Sequence, residues 1–424
     1  MMSEYLKQHQ KYLKNWYLIQ LGVMVIIGIV YPILSKMGLL GSIVIAVFVI
    51  MLWIIEGLLG LLPFLSRQAV PRKPKTGWQR ALRVNSYFQT IIQMFLIPLT
   101  LQAITWMLYH YLGINVNVLT VLGMLVLLVA FVPVMVVFTK DVSSIVGRII
   151  LLTEVIFAET VGMSFVTTGV NKASESSFLK DLISTGVWGA LSFVITVGVL
   201  MALWGYRLPS FKFRIKPHWI IFTLLVLFSI WFVTYNAFAS GDSWKNFLTA
   251  YDFHMKKPSL YMFLSGLEPG IAEEWLYRFS ILSLLLYAFR NNKFQVKLSV
   301  FISAAIFGVW HLSNALGGQN FLATLEQIIF AFSFGVFAAS AYLFTRSLLF
   351  TMVFHLFTDA LAMMASGTEM MSKPGLSDWI AVSVQGAMFI LIGQFLLSKT
   401  EKMIPESEIL SGGRLDEQAS LSNY

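Results

Sequence analysis

The chain has 424 residues, 57% of them hydrophobic and only 12% charged, with a formal net charge of +9 and a mean hydropathy of +0.75. Soluble domains carry about 25% charged residues, so a water-soluble globule of this length could not cover its exterior. A soluble enzyme, a disordered chain and a nucleic-acid-binding protein are excluded together, and the sequence reads as a polytopic membrane protein. It contains no cysteine, which removes disulfides, thiolate metal sites, cysteine nucleophiles and cysteine lipidation.

A bilayer core of about 30 Å needs roughly 20 apolar residues per helix. Runs of that kind begin near residues 16, 39, 87, 116, 148, 183, 218, 262, 298, 321, 347 and 378. The first of them, Trp16 to Leu34, is followed by no small-residue cleavage site and reads as a retained helix. Continuous apolar runs, rather than ten-residue alternating ones, make the fold all-α, a transmembrane helix bundle of about 12 spans with 10 to 12 allowed. Basic residues concentrate in alternate loops: Lys7, Lys11 and Lys14, then Arg67 to Arg83, Lys140 and Arg148, Arg207 to Lys216, Arg290 to Lys297, Arg346, Lys399 and Lys402. By the positive-inside rule both termini are cytoplasmic, with Lys36 and the pair Lys256–Lys257 as exceptions. The sequence divides into a multi-span region over 1–250, a second membrane region over 251–400 and a polar cytoplasmic tail over 401–424.

Ionisable side chains inside hydrocarbon are expensive, and each is a functional candidate by default. Glu273-Glu274-Trp275-Leu276-Tyr277-Arg278 sits between Ile271 and the apolar run Ile281 to Ala288. Adjacent helix residues diverge by about 100°, so the two carboxylates cannot serve one point equally. Arg278 lies four residues after Glu274, on the same face, and is expected to neutralise it. Glu273 is left without a local counter-ion, which suits a general base or acid. His311, in Phe307-Gly308-Val309-Trp310-His311, and His355, one turn before Asp359, fall within later apolar runs. At 1.5 Å per residue, Glu273 lies about 25 Å from the cytoplasmic end of its run, His311 and Asp359 about 20 Å and His355 about 14 Å. These depths allow one polar site in the middle to outer part of the membrane, with Pro269-Gly270 expected to kink or break the helix just before Glu273. No Gly-x-Ser-x-Gly elbow and no His-Glu-x-x-His helix occurs. The residue set fits water-mediated hydrolysis, with or without a metal held by two His and a Glu from separate helices.

The three motifs, Glu-Glu-x-x-x-Arg (Glu273 to Arg278), Phe-x-x-x-His (Phe307 to His311) and His-x-x-x-Asp (His355 to Asp359), in that order resemble the CPBP family. This is the CAAX-protease and bacteriocin-processing group of intramembrane proteases, also called Abi. Ala304 to Gly308, Gly335 and Thr345-Arg346-Ser347-Leu348 fit the same pattern, and the resemblance covers roughly residues 255 to 400. It implies Glu273 as the carboxylate that activates water, with His311 as its partner in proton transfer. Glu274 and Arg278 would be the supporting carboxylate and its ion partner, and His355 with Asp359 would polarise the scissile carbonyl. Members are described both as metalloproteases and as glutamate-dependent, metal-free proteases. No tight ligand triad is visible here, so no cofactor is expected, and zinc on Glu273, His311 and His355 is the alternative. Two positions depart from the pattern: Phe279, where many members have Gly, and Asp359, where many have Asn.

The resemblance implies an intramembrane endopeptidase in a bacterial cell membrane, acting on a membrane-associated peptide or protein. A non-catalytic scaffold or bacteriocin-immunity protein on the same fold is the second reading. A transporter is the third, resting on Glu56, Glu154, Glu159 and Glu326 within apolar runs; Glu154 and Glu159 lie about 140° apart around a helix and no inverted repeat is visible. Residues 1–250 read as a module that gathers substrate or meets a membrane-protein partner, and the bilayer is the surrounding solvent.

Overall fold

A computed structural model describes residues 10–35, 43–66, 75–139, 142, 144–171, 175–215, 218–240, 246 and 248–400. The polar tail 401–424 lies outside them, as do the loop residues Lys7, Lys36, Arg67, Arg72, Lys73, Lys140 and Lys216. The described residues are nearly all helical, and one isolated bridge, Ala239 to Tyr251, is their only β pairing. The chain divides into two compact units, Met1–Trp204 and Gly205–Tyr424.

Unit 1 contains α1 (Gln10–Leu34), α2 (Ile43–Leu65), α3 (Gly77–Leu112), α4 (Val116–Ala130, continued by a π turn at Met135–Thr139), α5 (Ile145–Val166), α6 (Ser177–Ser184) and α7 (Val187–Leu203). α3 begins ten residues before the apolar run that marks it in the sequence. The start is set by a capping box rather than by hydropathy: Thr76 accepts from the Gln79 amide N–H, and the Gln79 side chain accepts from the Thr76 N–H. Gly113, in the left-handed region at φ 63°, closes its other end. α6 and α7 bend by 51° at the Thr185–Gly186 break, where Gly186 takes φ 76°.

Unit 2 contains α8 (Trp219–Phe238), α9 (Leu260–Glu273), a π-helical stretch (Glu274–Ile281), α10 (Leu282–Ala288), α11 (Gln295–Trp310), α12 (Phe321–Thr345), α13 (Leu348–Ser366) and α14 (Leu376–Thr400). Ten helices of the described chain are long and apolar enough to cross a membrane, or eleven if the bent pair α6–α7 is one span. The remaining run of the twelve read from sequence is the α9–π–α10 rod. It carries Glu268, Glu273, Glu274 and Arg278, which take it below the hydropathy of an ordinary span.

Small residues set the spacing within unit 2. A Cβ on Gly266 of α9 would stand 2.6 Å from the Ala360 backbone nitrogen of α13, and one on Gly270 would stand 3.1 Å from the Met352 carbonyl oxygen. Two glycines four residues apart thus let α9 lie directly on the α13 backbone, as small residues do where membrane helices cross closely. Gly308 of α11 is seated in the same way against Ile328 and Phe332 of α12. Behind these contacts Phe232, Phe330, Phe334, Phe337, Phe354 and Phe389 pack ring to ring. The turn from α12 into α13 is tight: Arg346 takes φ 56°, the one described non-glycine residue at positive φ. The Leu348 N–H donates to Ser210 O at 2.9 Å, and the Arg214 N–H to Thr345 O at 3.0 Å, which ties the segment before α8 to this turn.

Candidate active site

The Glu-Glu-x-x-x-Arg motif lies where α9 opens into the π-helical stretch Glu274–Ile281, not at Pro269, which is carried inside α9. A wide turn leaves carbonyls without their usual partners, and π turns concentrate at functional sites for that reason. Two serines supply the missing donors. Ser280 Oγ donates to Trp275 O, five residues back, at 3.0 Å, and Ser303 Oγ of α11 donates to Tyr277 O at 3.0 Å. The second bond also pins α11 to the motif.

The two carboxylates have different surroundings. Glu274 is fully buried, and its Oε1 accepts from His355 Nδ1 at 2.8 Å and lies 3.1 Å from Arg278 Nη2. Arg278 is buried too, with its guanidinium 4.3 Å from the Phe307 ring centre and 5.7 Å from that of Phe334. Aromatic faces therefore take the side of the cation that Glu274 does not cover. Glu273 keeps 14% of its side-chain surface open and places Oε2 3.8 Å from His355 Nε2. Of the adjacent pair it is the one that a water or a substrate can reach.

His355 lies among three carboxylates. Nδ1 is on Glu274, and Nε2 is 3.3 Å from Asp359 Oδ2, one turn further along α13. With an acceptor at each nitrogen, both carry hydrogen. His311 ends α11, with Nδ1 2.9 Å from Phe307 O. That carbonyl can only accept, so Nδ1 holds a hydrogen, and in the neutral ring Nε2 is the nitrogen left with a lone pair. His311 acts electrostatically on Glu273, as do His355 and Asp359. The Phe307 ring stands edge-on to both imidazoles, at 4.9 Å from His311 and 6.0 Å from His355. Of the six residues singled out in the sequence, Arg278, His311 and His355 thus lie against the Phe307 ring, while Glu273, Glu274 and Asp359 are gathered around His355. Phe279 is buried with its ring 5.2 Å from Trp275.

The family model for type II CAAX prenyl endopeptidase Rce1-like proteins matches residues 255–361. This segment is an Rce1-like domain. It runs from the approach to α9 through Asp359, and it contains every residue of the cluster. No curated protein and no solved structure matches the chain. The CPBP resemblance and the helical bundle read from the sequence agree with this domain.

The Rce1-like domain holds further residues at the site that sequence spacing did not single out. Glu268, five residues before Glu273 on α9, feels the charges of Glu273, His355 and Asp359. The signal was a third carboxylate in the same apolar run. Phe307 and Phe334 brace the arginine and both imidazoles, a role that no aromatic announces in a sequence already 15% aromatic. Among the described residues no group of three or more His, Asp or Glu side chains is placed to hold a metal, and both His355 nitrogens face carboxylates.

Proposed function

We propose that the chain is an intramembrane endopeptidase that hydrolyses a peptide bond of a membrane-associated protein or peptide with a water activated by Glu273 and His311. The observation that carries this is the division of labour within the adjacent pair. Glu274 is buried against Arg278 and His355, while Glu273 is partly open and faces the imidazoles. A carboxylate committed to a close ion pair cannot take a proton without losing its partner, whereas Glu273 stands 3.8 Å from His355 Nε2, beyond hydrogen-bond distance, and keeps an open side.

In this reading Glu273 accepts a proton from water as the hydroxide attacks the scissile carbonyl carbon. The His311 Nε2 lone pair shares that proton and returns it to the departing amine. The Nε2–H of His355, which Asp359 and Glu273 already flank, is the donor nearest to the developing oxyanion. Glu274 and Arg278 do not touch the reacting atoms. They hold His355 at one angle, as a carboxylate that orients an imidazole does in other hydrolases. The Rce1-like name belongs to proteases of prenylated C-termini; for this chain the substrate class is kept as a membrane-associated peptide or protein, which the position of the site among apolar helices favours.

The test is mass spectrometry of peptides from membranes that express the wild type, Glu273→Ala or His311→Ala at matched protein levels. Loss of one processed peptide in both variants is the expected result, and the missing peptide identifies the substrate. Full biological function in both variants with an unchanged peptide profile would overturn the protease reading in favour of a scaffold on the same fold.

A further inference from the structure

Unit 1 contains a second polar cluster, built from three helices and independent of the protease reading. Tyr17 of α1, Glu56 of α2, and Gln89 and Gln93 of α3 are all buried, the most open being Glu56 at 6% exposure. Gln93 Nε2 lies 3.0 Å from Gln89 Oε1, 3.3 Å from Glu56 Oε1 and 3.4 Å from Tyr17 Oη. Three oxygens from three helices converge on one point. An amide nitrogen has two hydrogens, so Gln93 cannot satisfy all three at once. Tyr17 spends its own hydrogen on Gly60 O at 3.3 Å and turns only lone pairs toward the point.

The surroundings hold two unpaired amide oxygens and one unpaired amide nitrogen, Gln89 Nε2. Gln93 Oε1 is buried without a partner, and so is Asn85 Oδ1 two turns along the same face of α3. Among the described residues, the groups that bear on Glu56 are the Gln89 and Gln93 amides and the Tyr17 phenol, none of them cationic. A carboxylate in that setting is costly unless positive charge joins it.

We propose that Tyr17, Glu56, Gln89 and Gln93 form a binding site for a monovalent metal cation, sodium by charge and donor type. The amide nitrogen of Gln93 occupies the point where the ion sits. The ion displaces it and is met by the Glu56 carboxylate, the Gln89 amide oxygen and the Tyr17 phenol oxygen. Once its amide turns over, Gln93 adds Oε1 as a fourth donor. An all-oxygen set selects a hard cation, and one carboxylate balances one positive charge, where divalent sites draw on several. A proton would supply a single donor to this set, where two amide oxygens, Gln93 Oε1 and Asn85 Oδ1, lack a partner. Asn85, Gln89 and Gln93 share one helix face, giving a polar track of about 12 Å from the first turns of α3 to Glu56. Asn85 is fixed on that track by its Nδ2 bond to Leu59 O at 2.9 Å.

The experiment is thermal unfolding of the full chain in detergent, titrated with sodium chloride against choline chloride at constant ionic strength and pH. Binding to the folded state raises the midpoint as the ligand saturates, and a rise of a few degrees with sodium but not choline is expected. Glu56→Gln keeps the shape and removes the charge, and should leave the midpoint independent of sodium. Tyr17→Phe keeps the ring stacked on Phe64 at 5.8 Å and removes one oxygen. It should move the sodium concentration at half-effect severalfold upward, which keeps the proposal testable if Glu56→Gln does not fold. Equal midpoints in sodium and choline for the wild type would overturn the proposal, as would a full sodium effect retained in either variant. A midpoint that follows pH alone, alike in both salts, would make Glu56 a carboxylic acid holding a proton and would also overturn it.

Discussion

His355 Nδ1 lies 2.8 Å from Glu274 Oε1 across 81 residues of sequence, and this bond joins α13 to the π-helical stretch at the centre of the Rce1-like domain. It exists because Gly266 and Gly270 allow the two helices to meet at backbone distance. The same carboxylate oxygen holds Arg278 at 3.1 Å, so one buried atom fixes both an imidazole and a guanidinium.

Replacing Glu274 by Ala should therefore act on stability first. It leaves a fully buried arginine with no carboxylate, a change that costs about 3–5 kcal/mol in comparable buried pairs. The thermal midpoint in detergent should fall sharply, and peptide processing should fall with it. An unchanged midpoint would mean that Arg278 finds another partner and that Glu274 is not the brace.

Glu273→Gln should give the opposite pattern. Its side chain is partly open and 3.8 Å from the nearest imidazole nitrogen, and Gln keeps its shape, so the melting midpoint should fall far less than in Glu274→Ala. Loss of a general base removes on the order of 10²–10⁴ in rate. Quantitative mass spectrometry of the processed peptide, run beside a melting curve of the same preparation, checks both halves.

Asp359 separates charge from hydrogen bonding. Asp359→Asn retains an oxygen to accept from His355 Nε2, now 3.3 Å from Asp359 Oδ2, and should keep activity within about tenfold, since only the charge-assisted part of the bond is lost. Asp359→Leu removes the acceptor and should lose far more. Equal activity in the two variants would show that the contact does not orient His355.

The glycine contact is testable without touching a polar group. Gly266→Ala places a Cβ 2.6 Å from the Ala360 nitrogen and must separate α9 from α13. Overpacking of this kind costs about 1–3 kcal/mol, and the separation should also weaken processing by moving Glu274 away from His355. Gly22, where a Cβ meets nothing within 4 Å, serves as the control: Gly22→Ala should change neither property.

Much of this was legible in the sequence because the membrane makes it so. Hydrocarbon demands long apolar helices, which announced the spans, and it penalises charge, which made Glu273, Glu274, Arg278, His311, His355 and Asp359 conspicuous before any fold was known. The i,i+4 spacings of Glu274 with Arg278 and of His355 with Asp359 fixed two contacts through helix geometry alone.

Tertiary structure decided the rest. The sequence offered Pro269-Gly270 as the break before Glu273, yet Gly270 serves the approach to α13, and the backbone widens after Glu273 through hydroxyl bonds from Ser280 and Ser303. The first turns of α3 were hidden because a capping box, not hydropathy, starts that helix. Which glutamate of the adjacent pair is buried, the placing of Glu268 beside them, and the meeting of Tyr17, Glu56 and Gln89 around Gln93 all depend on residues from separate helices. Periodicity assigns a residue to a face of its own helix; only the packing of one helix on another determines what that face meets.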